Sequence, residues 1–362
     1  FSLQTEERLV KHFIESAQMG YGYTKIQAIK YATDLAHELG FLPPEKTLSY
    51  SWFERLKKRW PNLTVVKPLS LTSYRAAVSR EVIDDYYGRL HDTLEKYSLK
   101  DKPHFIYNVA EKGVNTEHRP PRSLGPKNAR SQAITSPRSS NITVIACGNA
   151  MGTILPPYLV YPGKRMVPEA YREGATTGTG ITVSETGWSN TDVFIRYLQH
   201  HFLTYMQGGD GRGDQHILLM YDGHKSHVAQ RVVDWALEHK IVLFVLPPHS
   251  SHLTQPLDRG CFGPFKRVYH KECQAYLRSH PGHVITKANL CDLVCKAYAK
   301  AMTPTNLQAA FKATGIFPFK ATAIPDTEVA PAKIFKPSKL SLEEEKEKTD
   351  AYITANQITP PS

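Results

Sequence analysis

The chain has 362 residues, 45 Lys and Arg against 34 Asp and Glu, and a formal net charge of +11. That length holds two or three domains with cores of their own, and the basic excess favours a polyanionic partner without choosing between DNA, RNA and an anionic surface. No apolar run approaches the roughly 20 residues that cross a bilayer, so no membrane partner is expected. The opening Phe1-Ser2-Leu3-Gln4 lacks an initiator Met and is no signal peptide, which reads as a piece of something longer. Five cysteines show no CxxC spacing; Cys291 and Cys295, four apart among apolar residues, read as buried thiols of a reduced, intracellular protein rather than half a zinc site.

Residues 4–75 are mostly helical in pattern. A first helix opens at Thr5-Glu6-Glu7, with Leu9, Val10, Phe13 and Ile14 at helical spacing, and Gly20-Tyr21-Gly22-Tyr23 breaks it. Thr24 can cap a second helix that Gly40 stops. A third runs from about Ser49 to Arg59, apolar through Trp52, Phe53 and Leu56 and basic through Arg55, Lys57, Lys58 and Arg59. Three short helices, the last basic on one side, suit a helix-turn-helix over residues 1–62. In that reading Lys57, Lys58 and Lys67 meet phosphates, Ser49, Tyr50 and Ser51 lie near base edges, and Arg55, Arg59 and Arg75 belong to the same DNA-contacting set.

Residues 63–100 are expected to be a linker followed by a connecting helix over Ser79–Tyr97. From residue 101 to 320 the elements alternate. Strands are expected at Phe105–Val109, Asn141–Cys147 and Thr153–Tyr161, with a turn beginning at Gly113. Between the first two, Arg119–Arg138 is a basic loop whose Arg119, Arg122, Lys127 and Arg130 can line a DNA path. A helix starting at Asn190-Thr191-Asp192 leads to strand Ile217–Asp222, helix Val228–His239, strand Ile241–Leu246 and a helix from Pro256 into Tyr276. Three strands as a meander, then strands entered through helices, give an α/β fold: a ribonuclease-H-like mixed sheet flanked by helices, behind an all-α helix-turn-helix domain. Residues 321–362 read as an extended tail.

Two stretches carry the chemistry. Leu218–Asp222 is an apolar run that ends on an acid before Gly223-His224-Lys225-Ser226-His227, and Ile241–Leu246 leads through Pro247-Pro248-His249-Ser250-Ser251-His252 to Asp258. Phosphodiester chemistry by two metal ions needs carboxylates from separate strands at one point, with the ions about 3.5–4 Å apart. Hard oxygen donors without a Cys or His cage select Mg2+ or Mn2+. A third carboxylate belongs on the first strand, where Ala110 stands. Either acid alone is more often a helix cap. His224, His227, His249 and His252 read as loop or phosphate residues rather than a zinc site, and Lys225 and Arg259 as phosphate contacts with solvated charge as a nearly equal alternative.

These residues resemble the pogo/Tigger-type transposases of the mariner-related DDE superfamily. The family's first motif, Asn-x-Asp-Glu-x-Gly, is met by Asn108, Glu111 and Gly113 with Ala110 in place of its Asp. Its second, Asp-Gly-His-x-Ser-His, is met in full from Asp222 to His227, and its third from Leu246 to Asp258. Trp52, Phe53, Arg59, Pro61 and Leu63 resemble the second helix-turn-helix of the centromere-protein-B-like region. The resemblance implies catalytic and metal-binding roles for Asp222 and Asp258 with Ala110 at the first acid. It also implies binding of terminal inverted repeats of double-stranded DNA, cleavage and joining to a TA target, a homodimer, and action in the nucleus. With Ala110 the expectation is DNA binding without cutting. Two explanations compete: an Asp→Ala change made in an active transposase, or a domesticated relative acting as a sequence-specific DNA-binding protein of chromatin. A third option, an RNA-directed ribonuclease-H-like nuclease, sits poorly with the helix-turn-helix.

Overall fold

The computed structural model describes residues 1–68, 72–117, 124, 127, 132, 135–136, 141–209, 213–223 and 230–333. The described residues form two compact units, Phe1–Val82 with residues 325–333, and Ile83–Ile324.

In the first unit, α1 (Leu3–Gln18), α2 (Lys25–Glu38) and α3 (Tyr50–Arg59) enclose a core of Leu9, Val10, Phe13, Ala28, Ala32, Trp52, Phe53 and Leu56. α1 begins two residues earlier than its charged Thr5-Glu6-Glu7 suggested, because the Ser2 hydroxyl accepts from the Thr5 N–H and caps it. Thr24 and Gln27 form a reciprocal capping box at α2. Past α2, Gly40 takes φ +69°, the left-handed conformation that ends a helix with little strain in glycine. The Thr33 hydroxyl then accepts from the Leu48 N–H at 3.1 Å, and Ser49 caps α3 through the Trp52 N–H. The expected linker contains one short helix, α4 (Ser73–Ala76), and α5 (Arg80–Lys96) follows.

In the second unit, β1 (Ile106–Asn115), β2 (Asn141–Asn149), β3 (Tyr158–Pro162), β4 (Gly180–Ser184), β5 (Ile217–Asp222) and β6 (Ile241–Leu246) form one mixed sheet in the order β4-β3-β2-β1-β5-β6. β1–β2 and β2–β3 are antiparallel; β1–β5 and β5–β6 are parallel. Without β4, the order 3-2-1-5-6 is the ribonuclease-H-like arrangement. β4 corrects the expected strand list: Gly180-Ile181-Thr182-Val183-Ser184 is β-branched and pairs in parallel with β3 at the sheet edge. β1 runs on through Gly113 to Asn115, since all of Tyr107–Asn115 pairs with β2 and no turn forms there. β3 starts at Tyr158, because Pro156-Pro157 before it supply no N–H for a ladder.

α6 (Thr191–Tyr197), a π-turn Leu198–Phe202 and α7 (Leu203–Tyr205) make up one helical segment, and α8 (Gln230–Glu238) precedes β6. Phe194, Tyr197, Phe202, Val232 and Trp235 from this side cluster with Tyr107, Val109, Leu219, Tyr221 and Val245 of the sheet. The opposite face receives the chain after β6. There α9 (Ser251–Thr254) and a π-turn Leu257–Cys261 lead into α10 (Phe262–Ser279), α11 (Lys287–Ala301) and α12 (Pro304–Ala313). All five cysteines are free and buried, Cys291 and Cys295 on α11 as their spacing implied. The expected extended tail is folded at its start: α13 (Asp326–Val329) forms, and Asp326 pairs with Arg80 at 2.7 Å. Residues 334–362 lie outside the described residues.

Candidate functional site

Side chains alternate along a strand, so Asn108, Ala110 and Lys112 share one face of β1 while Tyr107, Val109 and Glu111 take the other. Tyr107 and Val109 belong to the cluster beneath α6 and α8, which fixes that face; Glu111 is on the wrong side to replace a carboxylate at Ala110. β1 pairs in parallel with β5 up to Asn108 opposite Met220. The paired register ends there, and two positions further on, alternation puts Ala110 and Asp222 on the same face as Asn108 and Met220.

Asn108 ties the Asp258 segment down. This buried side chain donates from Nδ2 to the Met220 carbonyl at 2.9 Å, and its Oδ1 accepts from the Leu257 N–H at 3.0 Å. One amide thus fastens β1 to β5 and to the residue preceding Asp258. Lys112, on the same face, closes from the other side: its Nζ lies 3.8 Å from Asp258 Oδ1 and 5.4 Å from the Phe262 ring centroid. Ala110 therefore sits between two residues that both reach the Asp258 segment. Asp258 is in the π-turn rather than at the start of a regular α-helix. Such a turn is often found at functional sites. Gly260, in the same turn, lies so close to α12 that a β-carbon there would stand 2.6 Å from Ala310 Cβ.

Asn108 and Lys112, which flank Ala110 on one face of β1, thus both reach the Asp258 segment, and Asn108 also binds β5 two residues before Asp222. Asp222 and Asp258 offer hard carboxylate oxygens. Among the described residues no group of three or more His, Cys, Asp and Glu could hold a metal ion, and position 110 offers a methyl group rather than a carboxylate. The donor chemistry suits a divalent cation, but the residues present do not complete a two-ion site. Burial pushes the neighbouring Cys261 thiol up to about 12, which leaves it protonated and unreactive. His249 adopts φ +59° in the loop before α9; His224 and His227 lie outside the described residues.

On α3, Trp52, Phe53 and Leu56 face the core, and Ser51, Glu54, Arg55 and Lys58 are exposed with Tyr50. The DNA-contacting candidates divide accordingly. Tyr50, Ser51, Arg55, Lys58, Lys67 and Arg75 are exposed, as is Lys127. The Ser49 hydroxyl is engaged as the helix cap, and Lys57 pairs with Glu54 at 3.3 Å. Arg59 is also exposed but engaged: Nε and Nη2 donate to the buried Glu6 carboxylate at 2.9 and 2.6 Å, and Trp60 Nε1 donates to the same carboxylate at 3.2 Å. Arg119, Arg122, Arg130 and Lys225 lie outside the described residues. Sequence reasoning passed over Lys112 and Glu6. The first was reachable by strand alternation from Ala110; the second had no local signal, since its partners lie 53 and 54 residues away.

Residues 139–311 match the family described as DDE superfamily endonuclease. A protein of Cochliobolus lunatus named MFS-type transporter clz9 is 32% identical over 233 residues, which are 62% of this chain and 24% of that protein. The chain thus spans about a quarter of that relative's length, and no described helix is long and apolar enough to cross a membrane. Among solved structures, the Mos1 strand transfer complex is similar at 12% identity, covering 92% of this chain and 79% of that one with a TM-score of 0.49. The Mos1 mariner paired end complex with Mn is similar at 13% identity, covering 81% and 78% with a TM-score of 0.43.

Proposed function

We propose that this chain, a DDE superfamily endonuclease over residues 139–311, is the DNA-binding core of a pogo/Tigger-type transposase whose chemistry is withheld at Ala110. The observation that carries this is Asn108, which flanks Ala110 on β1 and binds both the Met220 carbonyl of β5 and the Leu257 N–H beside Asp258. In the complete site a pair of Mg2+ or Mn2+ ions would activate the attacking oxygen and stabilise the leaving one, held by Asp222, Asp258 and an acid at position 110. This chain's residues do the rest. Asn108 fixes the Asp258 segment against β1 and β5, and Lys112 supplies a cation beside Asp258. The exposed face of α3 would enter the major groove of a terminal inverted repeat, with Tyr50 and Ser51 nearest the bases and Arg55 and Lys58 on phosphates. Lys67 and Arg75 extend that contact. Arg59 is reassigned from DNA to the scaffold because Glu6 occupies it. Joining to a TA target, a homodimer that pairs two ends, and a nuclear site of action complete the proposal.

The deciding experiment restores the acid. Ala110→Asp in the presence of Mg2+ is expected to nick duplex DNA carrying the element's end, while the chain as it stands binds the same duplex and leaves it intact. If the restored protein binds but never nicks, the transposase reading falls. A second reading, a domesticated DNA-binding protein of chromatin, fits the same fold with Ala110 in place of an acid, and Lys112 lies 3.8 Å from Asp258. An aspartate codon at position 110 in the genomic sequence, with terminal repeats flanking the gene, would exclude it.

A further inference from the structure

α10 begins directly after the turn that carries Asp258, and the Tyr269 O–H donates to the Asn115 carbonyl at 2.6 Å, which anchors the helix at the far end of β1. Its core-facing residues are Phe262, Phe265, Tyr269 and Cys273. At 3.6 residues per turn, Arg267, Lys271, Gln274 and Arg278 fall within an arc of roughly 60° opposite that buried face, and Lys266 lies at its edge, roughly 80° from the nearest of them. Lys266, Arg267, Lys271 and Arg278 are all exposed. No carboxylate among the described residues pairs with any of the four.

The neighbouring helix shows the contrast. On α11, Lys296 pairs with Asp292 at 2.7 Å and Lys300 pairs with Glu272 at 2.7 Å. Glu272 is the only acid of α10, and it lies outside the arc, turned toward Lys300. The cations of α11 are neutralised by acids of this unit; those of the α10 arc meet no carboxylate among the described residues. From Lys266 to Arg278 the row rises about 18 Å, the length of roughly five base pairs of B-DNA. A band of cations with no carboxylate partner among the described residues fits a polyanion, and its first member is about two helical turns from Asp258.

We propose that Lys266, Arg267, Lys271 and Arg278 form a phosphate track that guides duplex DNA along α10 to the turn that carries Asp258. The track rests on the reading that the chain binds DNA, and it adds a second contact surface to α3. The Arg and Lys heads would meet phosphate oxygens and carry no base preference, so they govern affinity and its salt dependence.

The test uses the full chain and three duplexes: an element end alone, the same end extended by flanking DNA, and an unrelated sequence. Replacing all four by glutamine (K266Q, R267Q, K271Q, R278Q) should leave the thermal unfolding midpoint in place, as all four are exposed. It should flatten the plot of log affinity against log salt by up to about 3.6 units on the duplexes that reach the track, at about 0.9 per phosphate. Flattening only on the extended end identifies flanking DNA as the occupant; flattening on the unrelated duplex as well identifies target DNA. The pair K296Q and K300Q serves as control and should change neither slope. Equal slopes for the quadruple variant and the parent on every duplex would overturn the track while leaving DNA binding through α3 intact. An equal flattening by the control pair would overturn it too, since general charge would then explain the effect. A parent chain that binds no duplex removes the DNA reading itself, and the track with it.

Discussion

Arg55 and Arg59 stand one turn apart on α3, yet their surroundings assign them different work. Arg55 is exposed on the solvent face, whereas Arg59 holds the buried Glu6 carboxylate through two hydrogen bonds. Arg55→Ala is expected to weaken binding to an element end and flatten its salt dependence with the melting temperature unchanged. Glu6→Gln should instead destabilise the helix-turn-helix unit by roughly 1–2 kcal/mol, a figure reduced from that of a buried ion pair because Arg59 is itself partly exposed. Chemical denaturation monitored by the fluorescence of Trp52 and Trp60 measures it. The same carboxylate sets a pH dependence. Burial raises its affinity for a proton, but the hydrogen bonds from Arg59 and Trp60 outweigh this and leave Glu6 below the ordinary carboxylate range. A lowered folded pKa contributes stability that is complete above the unfolded value of about 4.3 and is lost as pH falls through the folded one. Unfolding of this unit should therefore become easier below about pH 4 in the parent, and Glu6→Gln should remove that part of the slope.

At the scale of elements, the site depends on how the Asp258 turn is held between β1 and α12. Asn108→Ala would strand the Met220 carbonyl and the Leu257 N–H, both served by one buried amide, at a cost of about 2–4 kcal/mol for two lost partners. The urea midpoint should fall accordingly. In an Ala110→Asp background, nicking should fall further than stability alone explains, because Asp258 loses its register against β1. Gly260→Ala approaches the same turn from the other side. Its added methyl would meet Ala310 Cβ at 2.6 Å and the Ala310 backbone at 3.1 Å, so the turn or α12 must shift, with a destabilisation of about 1–3 kcal/mol by overpacking. A thermal melt no lower than the parent's would show that α12 yields freely.

For the whole molecule, the missing acid predicts how metal and stability couple. A ligand that binds only the folded chain stabilises it by about 1.4 kcal/mol when its concentration reaches roughly ten times its Kd. Magnesium at millimolar concentration should leave the melting temperature of this chain nearly unchanged, while Ala110→Asp should gain several degrees of magnesium-dependent stabilisation. Equal shifts in both proteins would mean that Asp222 and Asp258 hold the ion without help from position 110.

Much of this was legible in the sequence, because it is written in local patterns. β5 and β6 have the expected bounds, since buried parallel strands are short continuous apolar runs, and the three N-terminal helices follow from caps and helical spacing. The two acids and the alanine were readable from their motifs. What the sequence alone could not yield depends on partners far along the chain. β4 becomes a strand by pairing with β3, and β1 extends to Asn115 only because β2 lies beside it. Arg59 is held by Glu6 because that carboxylate arrives from α1. The four cations of α10 differ from those of α11 only in which carboxylates the fold brings near. Periodicity and motif spacing fix which residues are offered to the core, to DNA or to a metal. Which offers are taken up is decided by contacts between residues tens to hundreds of positions apart, and those exist only once the chain has folded.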